Sequence, residues 1–346
     1  MPELPEVEHT ARQLRASVVG ATIREALVFW ERTIGHPDLP DFLAEIAERT
    51  IIGVRRRGKF LILDLGTLWH LQPLQGDRKG RPYPATAGIS AGSGQGRPLR
   101  SPWEAAESEL ILTIHRRMTG NLLLLPPGWE IDTSLKETDP AAWNTKGPTF
   151  RNRTISDQDY VLYCRVCFNL IDGRRLLFND QRKFGRIELW PREQEVEALE
   201  GLGIEPLSDE FTVERLQEAL AGRKAPIKQV LLAQEVIAGL GNIYADEALF
   251  YAKIHPLRRA DSLTASEVQQ LHEGVVSVLT GGIEHGGTSF SNYRDLVGEA
   301  GDNYSHMLVY HQHGKPCNRC GILIERITVA QRSTHFCPGC QKLIGE

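Results

Sequence analysis

Four cysteines near the end of the chain carry the plainest chemical signal. Cys317, Cys320, Cys337 and Cys340 read C-x2-C-x16-C-x2-C. Two tight turns, each offering two thiolates, can complete a tetrahedral zinc site. Four protein ligands leave no position for water, so one structural Zn2+ per chain is expected; a disulfide pair or free thiols are the other readings. Disulfides are disfavoured in a cytosolic chain. Cys164 and Cys167 repeat the C-x2-C spacing, but in an apolar, strand-like run where positions three apart face opposite ways. They read as buried free thiols. At the other end of the chain, Glu3 and Glu6 sit three residues apart at a helix start. Such carboxylates can share a pocket and shift each other's pKa, or simply complement the helix dipole. Pro2 alone reads as a residue that stiffens a terminus.

These residues must be held by a scaffold large enough for two domains, since the chain has 346 residues. Hydrophobic residues make up 41% and charged residues 24%, ordinary values for a soluble protein. The apolar run 122–125 ends at two prolines, and no apolar run approaches the roughly 18 residues a membrane helix needs. No signal-peptide pattern opens the chain, so a cytoplasmic location and no membrane partner are expected. The net charge of −4 does not point to a polyanion partner. Local charge is uneven, however. Arg55, Arg56, Arg57 and Lys59 form one cluster, and Arg174, Arg175, Arg182, Lys183 and Arg186 another. From His306 onward there are five Lys/Arg against two Asp/Glu, with four His. Each is either a patch for a polyanion or a solvated face.

The elements follow from periodicity. Pro5 suits the first helical position, Glu3, Glu6 and Glu8 suit the positive end of a helix, and Val7, Ala11, Leu14 and Val18 recur at helical spacing before Gly20. A helix over about 5–17 results. Residues 22–189 carry many short strand patterns, at 51–54, 60–65, 110–114, 121–125, 160–170 and 175–179, with Leu43 and Ile46 on a short helix. An antiparallel β-sandwich fits this density. Two stretches, about 72–107 and 126–159, are rich in turn formers and read as long surface loops. Residues 201–208 read as a linker. Beyond it the pattern is helical, with Thr264 and Glu267 as a capping box ahead of Val268, Leu271, Val275 and Val278. The fold class is therefore α+β: a β-rich unit over 1–200, a helical unit over 209–305 and a small zinc module over 306–346.

The opening PELPEVE and the zinc spacing resemble the formamidopyrimidine-DNA glycosylase/endonuclease VIII family. So do seven strings in order: RGKF at 57–60, HRRMTG at 115–120, NDQRKFG at 179–185, IEPLSDEF at 204–211, IKQVLLAQ at 227–234, GLGNIYADE at 239–247 and VAQRSTHFCPGC at 329–340. The resemblance spans the chain except the two loop stretches. It implies an N-terminal helix with a β-sandwich, a helix–two-turn–helix unit and a β-hairpin zinc finger. It also implies a monomer acting on damaged double-stranded DNA in base excision repair.

Residue by residue, the resemblance makes Pro2 the nucleophile once Met1 is removed. An α-amino group titrates near neutrality, so a useful fraction is unprotonated at pH 7. Glu3 resembles the acid that protonates the sugar, Glu6 a supporting carboxylate, and Lys59 a lysine beside the lesion's phosphate. Met118, Arg182 and Phe184 resemble the residues inserted where the damaged nucleotide is flipped out, an apolar wedge with an arginine for the orphaned base. Lys228 and Asn242 resemble phosphate contacts on the two helices, Glu247 a residue one turn on near the catalytic terminus, and Arg332 the zinc-hairpin arginine that grips flanking phosphates. Ala233, Gln181, Lys183 and Thr119 depart mildly from the usual pattern. Residues 286–310 resemble the loop that caps a flipped oxidised purine, so 8-oxoguanine and formamidopyrimidines are the expected substrates. The alternatives are the same chemistry on oxidised pyrimidines, and a non-catalytic binder of damaged DNA.

Overall fold

The computed structural model describes residues 2–67, 108–151, 160–289 and 293–343. Its first element, α1 (Leu4–Val18), is the amphipathic helix that the sequence predicts, with one more residue at each end. Val7, Ala11, Leu14 and Val18 face one core, while Leu4 enters a second. The helix therefore joins two cores at its N-terminal end.

Two sheets form the first unit. One comprises β1 (Ile23–Val28), β10 (Cys164–Leu170), β11 (Arg175–Asp180) and β6 (Gly120–Leu125), in that spatial order. The other runs β2 (Ile34–His36), β12 (Arg186–Pro191), β5 (Leu110–His115), β4 (Phe60–Gly66), β3 (Thr50–Arg57). A short helix, α2 (Leu39–Ile46), starts at a capping Asp38. All pairs are antiparallel except β12 with β2, which is parallel. Leu61, Leu63, Leu112, Ile114, Val166, Phe168 and Phe178 fill the space between the sheets under α1. Truncating one of them to Ala costs about 2–5 kcal/mol.

Two expectations are corrected here. Of the stretch 126–159, residues 126–151 are not a plain loop. They hold β7 (Glu130–Asp132), α3 (Leu135–Thr138), α4 (Pro140–Lys146) and β8 (Thr149–Arg151), which pairs with β9 (Tyr160–Val161) in a three-stranded sheet. Pieces this short leave no periodicity to read. The stretch 72–107 and residues 152–159 lie outside the described residues. Second, Cys164 and Cys167 do not face opposite ways. A register shift between Cys164 and Val166 turns Cys164 to the same side as Cys167, in one cluster with Leu125, Phe150 and Leu177. Both thiols are buried, and burial raises their pKa, Cys167 to about 12, so they are inert.

After α5 (Glu195–Ala198), the helical unit follows: α6 (Val213–Leu220), α7 (Ile227–Leu232), α8 (Asn242–Tyr251) and α9 (Ala265–Glu284). The Thr264–Glu267 capping box forms, with Thr264 N–H donating to Glu267 at 2.8 Å. α8 is buried almost all round, packed on α9 and α1's first residue. The chain ends in a hairpin, β13 (Glu325–Val329) and β14 (Arg332–Phe336), beside the four cysteines. No helix among the described residues is long and apolar enough to cross a membrane.

Candidate active site

The N-terminus is pinned where the units meet. Leu4 N–H donates to the Gly239 carbonyl at 3.1 Å, and Gly239 has φ +87° with no room for a Cβ against Leu4. Gly241 is the residue before α8; a Cβ there would overlap the Glu3 carboxyl, 2.2 Å from its carbon. The two glycines of GLGN thus let α8 start directly on Glu3. Glu3 accepts from the backbone N–H of Ile243 at 3.0 Å and of Tyr244 at 3.4 Å, at the positive end of that helix.

Glu6 holds the other side. Its carboxylate accepts from Glu3 N–H (2.7 Å), Tyr244 hydroxyl (2.8 Å) and Thr288 N–H (2.7 Å). Lys59 donates to the Leu240 carbonyl at 3.0 Å. Burial raises the Glu3 pKa against the opposing pull of Lys59, and burial lowers that of Lys59. Pro2 is buried beside them.

Above this pair opens a cavity of about 760 Å³. Glu3, Lys59, Gly241 and Asn242 line it together with Met118, Phe184 and Arg332. Met118 and Phe184 are 38% and 49% exposed and stand together on the cavity rim. Arg182 links them, donating to the Met118 sulfur at 3.2 Å with its guanidinium 4.8 Å from the Phe184 ring centre. The turns that carry them are braced from below. Asp180 accepts from Thr119 Oγ1 and, at 2.7 Å, from Gly185 N–H, while Thr119 Oγ1 accepts from Arg182 N–H at 3.1 Å. Sequence reasoning gave no site role to Arg117, Lys183, Arg186, Tyr310 and His311, which also line the cavity. The 182–186 charge cluster was the available signal for two of them.

Arg332 reaches the cavity from the zinc hairpin. Ala330 and Gln331, the two turn residues, both have positive φ (48° and 59°), the twist that a two-residue hairpin needs. All four cysteine sulfurs lie within 4.8 Å of one another; Cys317–Cys340 are 3.9 Å apart and Cys320–Cys337 3.4 Å. A tetrahedron with Zn–S bonds of about 2.3 Å needs about 3.8 Å between sulfurs, and a disulfide about 2 Å. The set fits one structural zinc, not disulfides.

Three of the expected site residues have partners within the protein. Lys228 is fully buried, paired with Asp246 and donating to the Asn242 carbonyl at 3.1 Å. An enclosed ammonium with a carboxylate partner braces α7 on α8. Glu247 is buried on α8. Its carboxylate accepts from Leu308, Val309 and Tyr310 N–H at 2.8–3.2 Å and so fastens the approach to the zinc module. Asn242 does line the cavity, but its Nδ2 donates to the Ser333 carbonyl at 2.9 Å, tying α8 to the hairpin.

A β-sandwich, a helix pair joined by a glycine turn and a four-cysteine hairpin close on one buried N-terminus, the build of a DNA glycosylase. Comparison with known proteins agrees. Residues 1–187 match the formamidopyrimidine-DNA glycosylase N-terminal domain, 202–294 the formamidopyrimidine-DNA glycosylase H2TH domain and 314–343 the zinc finger found in FPG and IleRS. The formamidopyrimidine-DNA glycosylase of Herpetosiphon aurantiacus is 37% identical over 99% of this chain and all of its own. Two solved structures of the Lactococcus lactis FPG, one with a Fapy-dG containing DNA and one with an oxidised pyrimidine containing DNA, superpose with TM-scores of 0.72 and 0.73. Each is 28% identical, covering 99% of this chain and all of the other. The chain belongs to the formamidopyrimidine-DNA glycosylase family.

Proposed function

We propose that this chain is a bifunctional DNA glycosylase and AP lyase of base excision repair, removing 8-oxoguanine and formamidopyrimidines through a covalent intermediate on Pro2. The observation that carries it is the buried Glu3 carboxyl, next to Pro2, at the base of a cavity whose rim bears Met118, Phe184 and Arg332. Its partner is damaged double-stranded DNA, met by a monomer in the cytoplasm at the nucleoid. Residues 1–200 supply chemistry and wedge, 209–305 and 306–346 the grip on the backbone.

Loss of Met1 frees the Pro2 nitrogen. Met118 and Phe184 fill the gap left by an extruded nucleotide, and Arg182 bonds the orphaned base. The amine attacks C1′, the bond from C1′ to the base breaks, and the base leaves with its electron pair and gains a proton. Glu3 keeps its proton to higher pH than a free carboxyl because it is buried, so it can deliver it to the ring oxygen as the sugar opens. The resulting iminium withdraws electrons. The C2′ proton becomes acidic, its loss breaks the C3′–O bond, and the 3′ phosphate leaves. A second elimination releases the 5′ side. Glu6 orients the terminus by accepting from Glu3 N–H. Arg332 and Lys59 are the phosphate contacts this reading retains; Asn242 serves by holding the hairpin to α8.

A second reading, oxidised pyrimidines, is favoured by the Lactococcus lactis FPG solved with such DNA. Single-turnover excision from duplexes holding 8-oxoguanine, formamidopyrimidine or thymine glycol separates the two. Faster release of the purines, with nicked ends, is expected. Faster release of thymine glycol overturns the substrate assignment, and binding without release from any duplex overturns the enzyme.

A further inference from the structure

Arg116 is a guanidinium with almost no exposure to solvent (1%) and, among the described residues, no ion pair. Enclosing a cation without a carboxylate is costly unless its donors are all met. Each of its three nitrogens has a hydrogen-bond acceptor, and the acceptors come from two directions. Nε donates to the Gly120 carbonyl at 2.8 Å and Nη2 to Asn121 Oδ1 at 2.7 Å, both in the turn that carries Met118. Nη1 donates to Thr10 Oγ1 at 2.9 Å and lies 3.5 Å from the Glu6 carbonyl, both on α1. The guanidinium also sits 5.2 Å from the ring centre of Tyr293.

Tyr293 begins a segment laid along the sandwich edge. Arg294 N–H donates to Asn121 Oδ1, the acceptor that Arg116 uses, at 3.3 Å. Leu124 N–H donates to the Leu296 carbonyl, and Gln13 of α1 bonds both Asp295 and Leu296 N–H. One buried cation therefore touches the catalytic helix, the wedge turn and the segment that follows Thr288, where Glu6 ends its own network.

We propose that Arg116 is a positioning residue that holds the Met118 turn and the 293–296 segment in register with the helix bearing Pro2, Glu3 and Glu6, so that base extrusion and capping depend on it while elimination at an open sugar does not. The proposal rests on the glycosylase reading above. An abasic sugar has no base to extrude or cap, and it needs only the Pro2 amine and Glu3 in place. A residue that sets the wedge and the cap against the helix should separate the two activities.

The test uses the full-length zinc-loaded protein and Arg116→Met, with Asn121→Leu as a milder variant that removes only the shared acceptor. Single-turnover rates are measured on an 8-oxoguanine duplex and on the same duplex holding a preformed abasic site. Wild type acts on both if the glycosylase reading holds; inactivity on both refutes that reading and leaves this one without a basis. For Arg116→Met, base excision should fall about thirtyfold and abasic-site cleavage by less than threefold, with Asn121→Leu showing a smaller split in the same direction. A uniform fall on both substrates that tracks the folded fraction, measured by thermal melting and bound zinc, would reduce Arg116 to a packing residue and overturn the proposal. If Arg116→Met does not fold, Asn121→Leu decides: equal loss on both substrates, or none on either, overturns it as well.

Discussion

Two arginine clusters look alike in the sequence and differ in the fold. Arg55, Arg56 and Arg57 are answered by acids: Arg55 by Asp64 and Glu195, Arg56 by Glu8 and Glu205, Arg57 by Glu205 at 2.7 Å. Lys183 and Arg186, with Arg117 and Arg332, line the cavity, and beside them Arg182 meets a thioether and a ring, Lys183 a carbonyl and a ring, and Arg186 a carbonyl; none of the five has an ion pair among the described residues. The first cluster is a strut that ties the sandwich to α1, α5 and the linker ahead of the helical unit. The second is a cationic rim open to a polyanion. A run of arginines says nothing about phosphate until its carboxylate partners are counted, and those lie up to 149 positions away.

The contrast can be broken from either side. Stripping zinc should act most strongly and only on the rim. A structural zinc contributes on the order of 10 kcal/mol to folding its module, so chelation should unfold the hairpin, withdraw Arg332 and lower DNA affinity about a hundredfold, while the 55–57 strut persists. Fluorescence titration with and without chelator measures this, and unchanged affinity would deny the hairpin its role. Glu205→Ala should do the reverse. It leaves Arg56, largely buried, and Arg57 without their shared acceptor and costs about 3 kcal/mol in denaturant unfolding, with the salt dependence of DNA binding unchanged. Arg332→Ala should leave the melting temperature alone and reduce the slope of log affinity against log salt by about 1.

The smallest effect concerns the carboxylate that costs stability instead of adding it. Burial raises the Glu3 pKa above its ordinary value near 4.5. Between those two values the folded chain holds a proton that the unfolded chain has lost, so stability falls as pH rises through that window. Glu3→Gln should therefore raise the melting temperature by a few degrees more at pH 8 than at pH 5, while abolishing excision. An equal gain at both pH values would mean that Glu3 is not held in a raised state.

The helix α1, the α9 capping box and the zinc set were legible because their signals are local: a 3.6-residue stripe, a pair three residues apart, a spacing of thiols. Glu3 and Glu6 were legible as a pair, but not their partners, since the bonds to Tyr244 and Thr288 span 238 and 282 positions. The partners of Lys228 and Glu247 were hidden for the same reason. Asp246, inside the GLGNIYADE string, takes up Lys228, and 308–310 take up Glu247. The register shift that turns Cys164 toward Cys167 leaves no trace in residue types. The pairing that hides the 55–57 cluster and the buried position of Arg116 belong to tertiary structure alone.

The central claim is that the amine of Pro2 attacks the sugar, and Lys59, a buried amine whose pKa burial lowers, is its natural rival. Borohydride trapping on an 8-oxoguanine duplex, followed by proteolysis and mass spectrometry of the adduct, distinguishes them. The account predicts a reduced adduct on the peptide that begins at Pro2, with Met1 absent. An adduct on Lys59, or on a chain that keeps Met1, would contradict it.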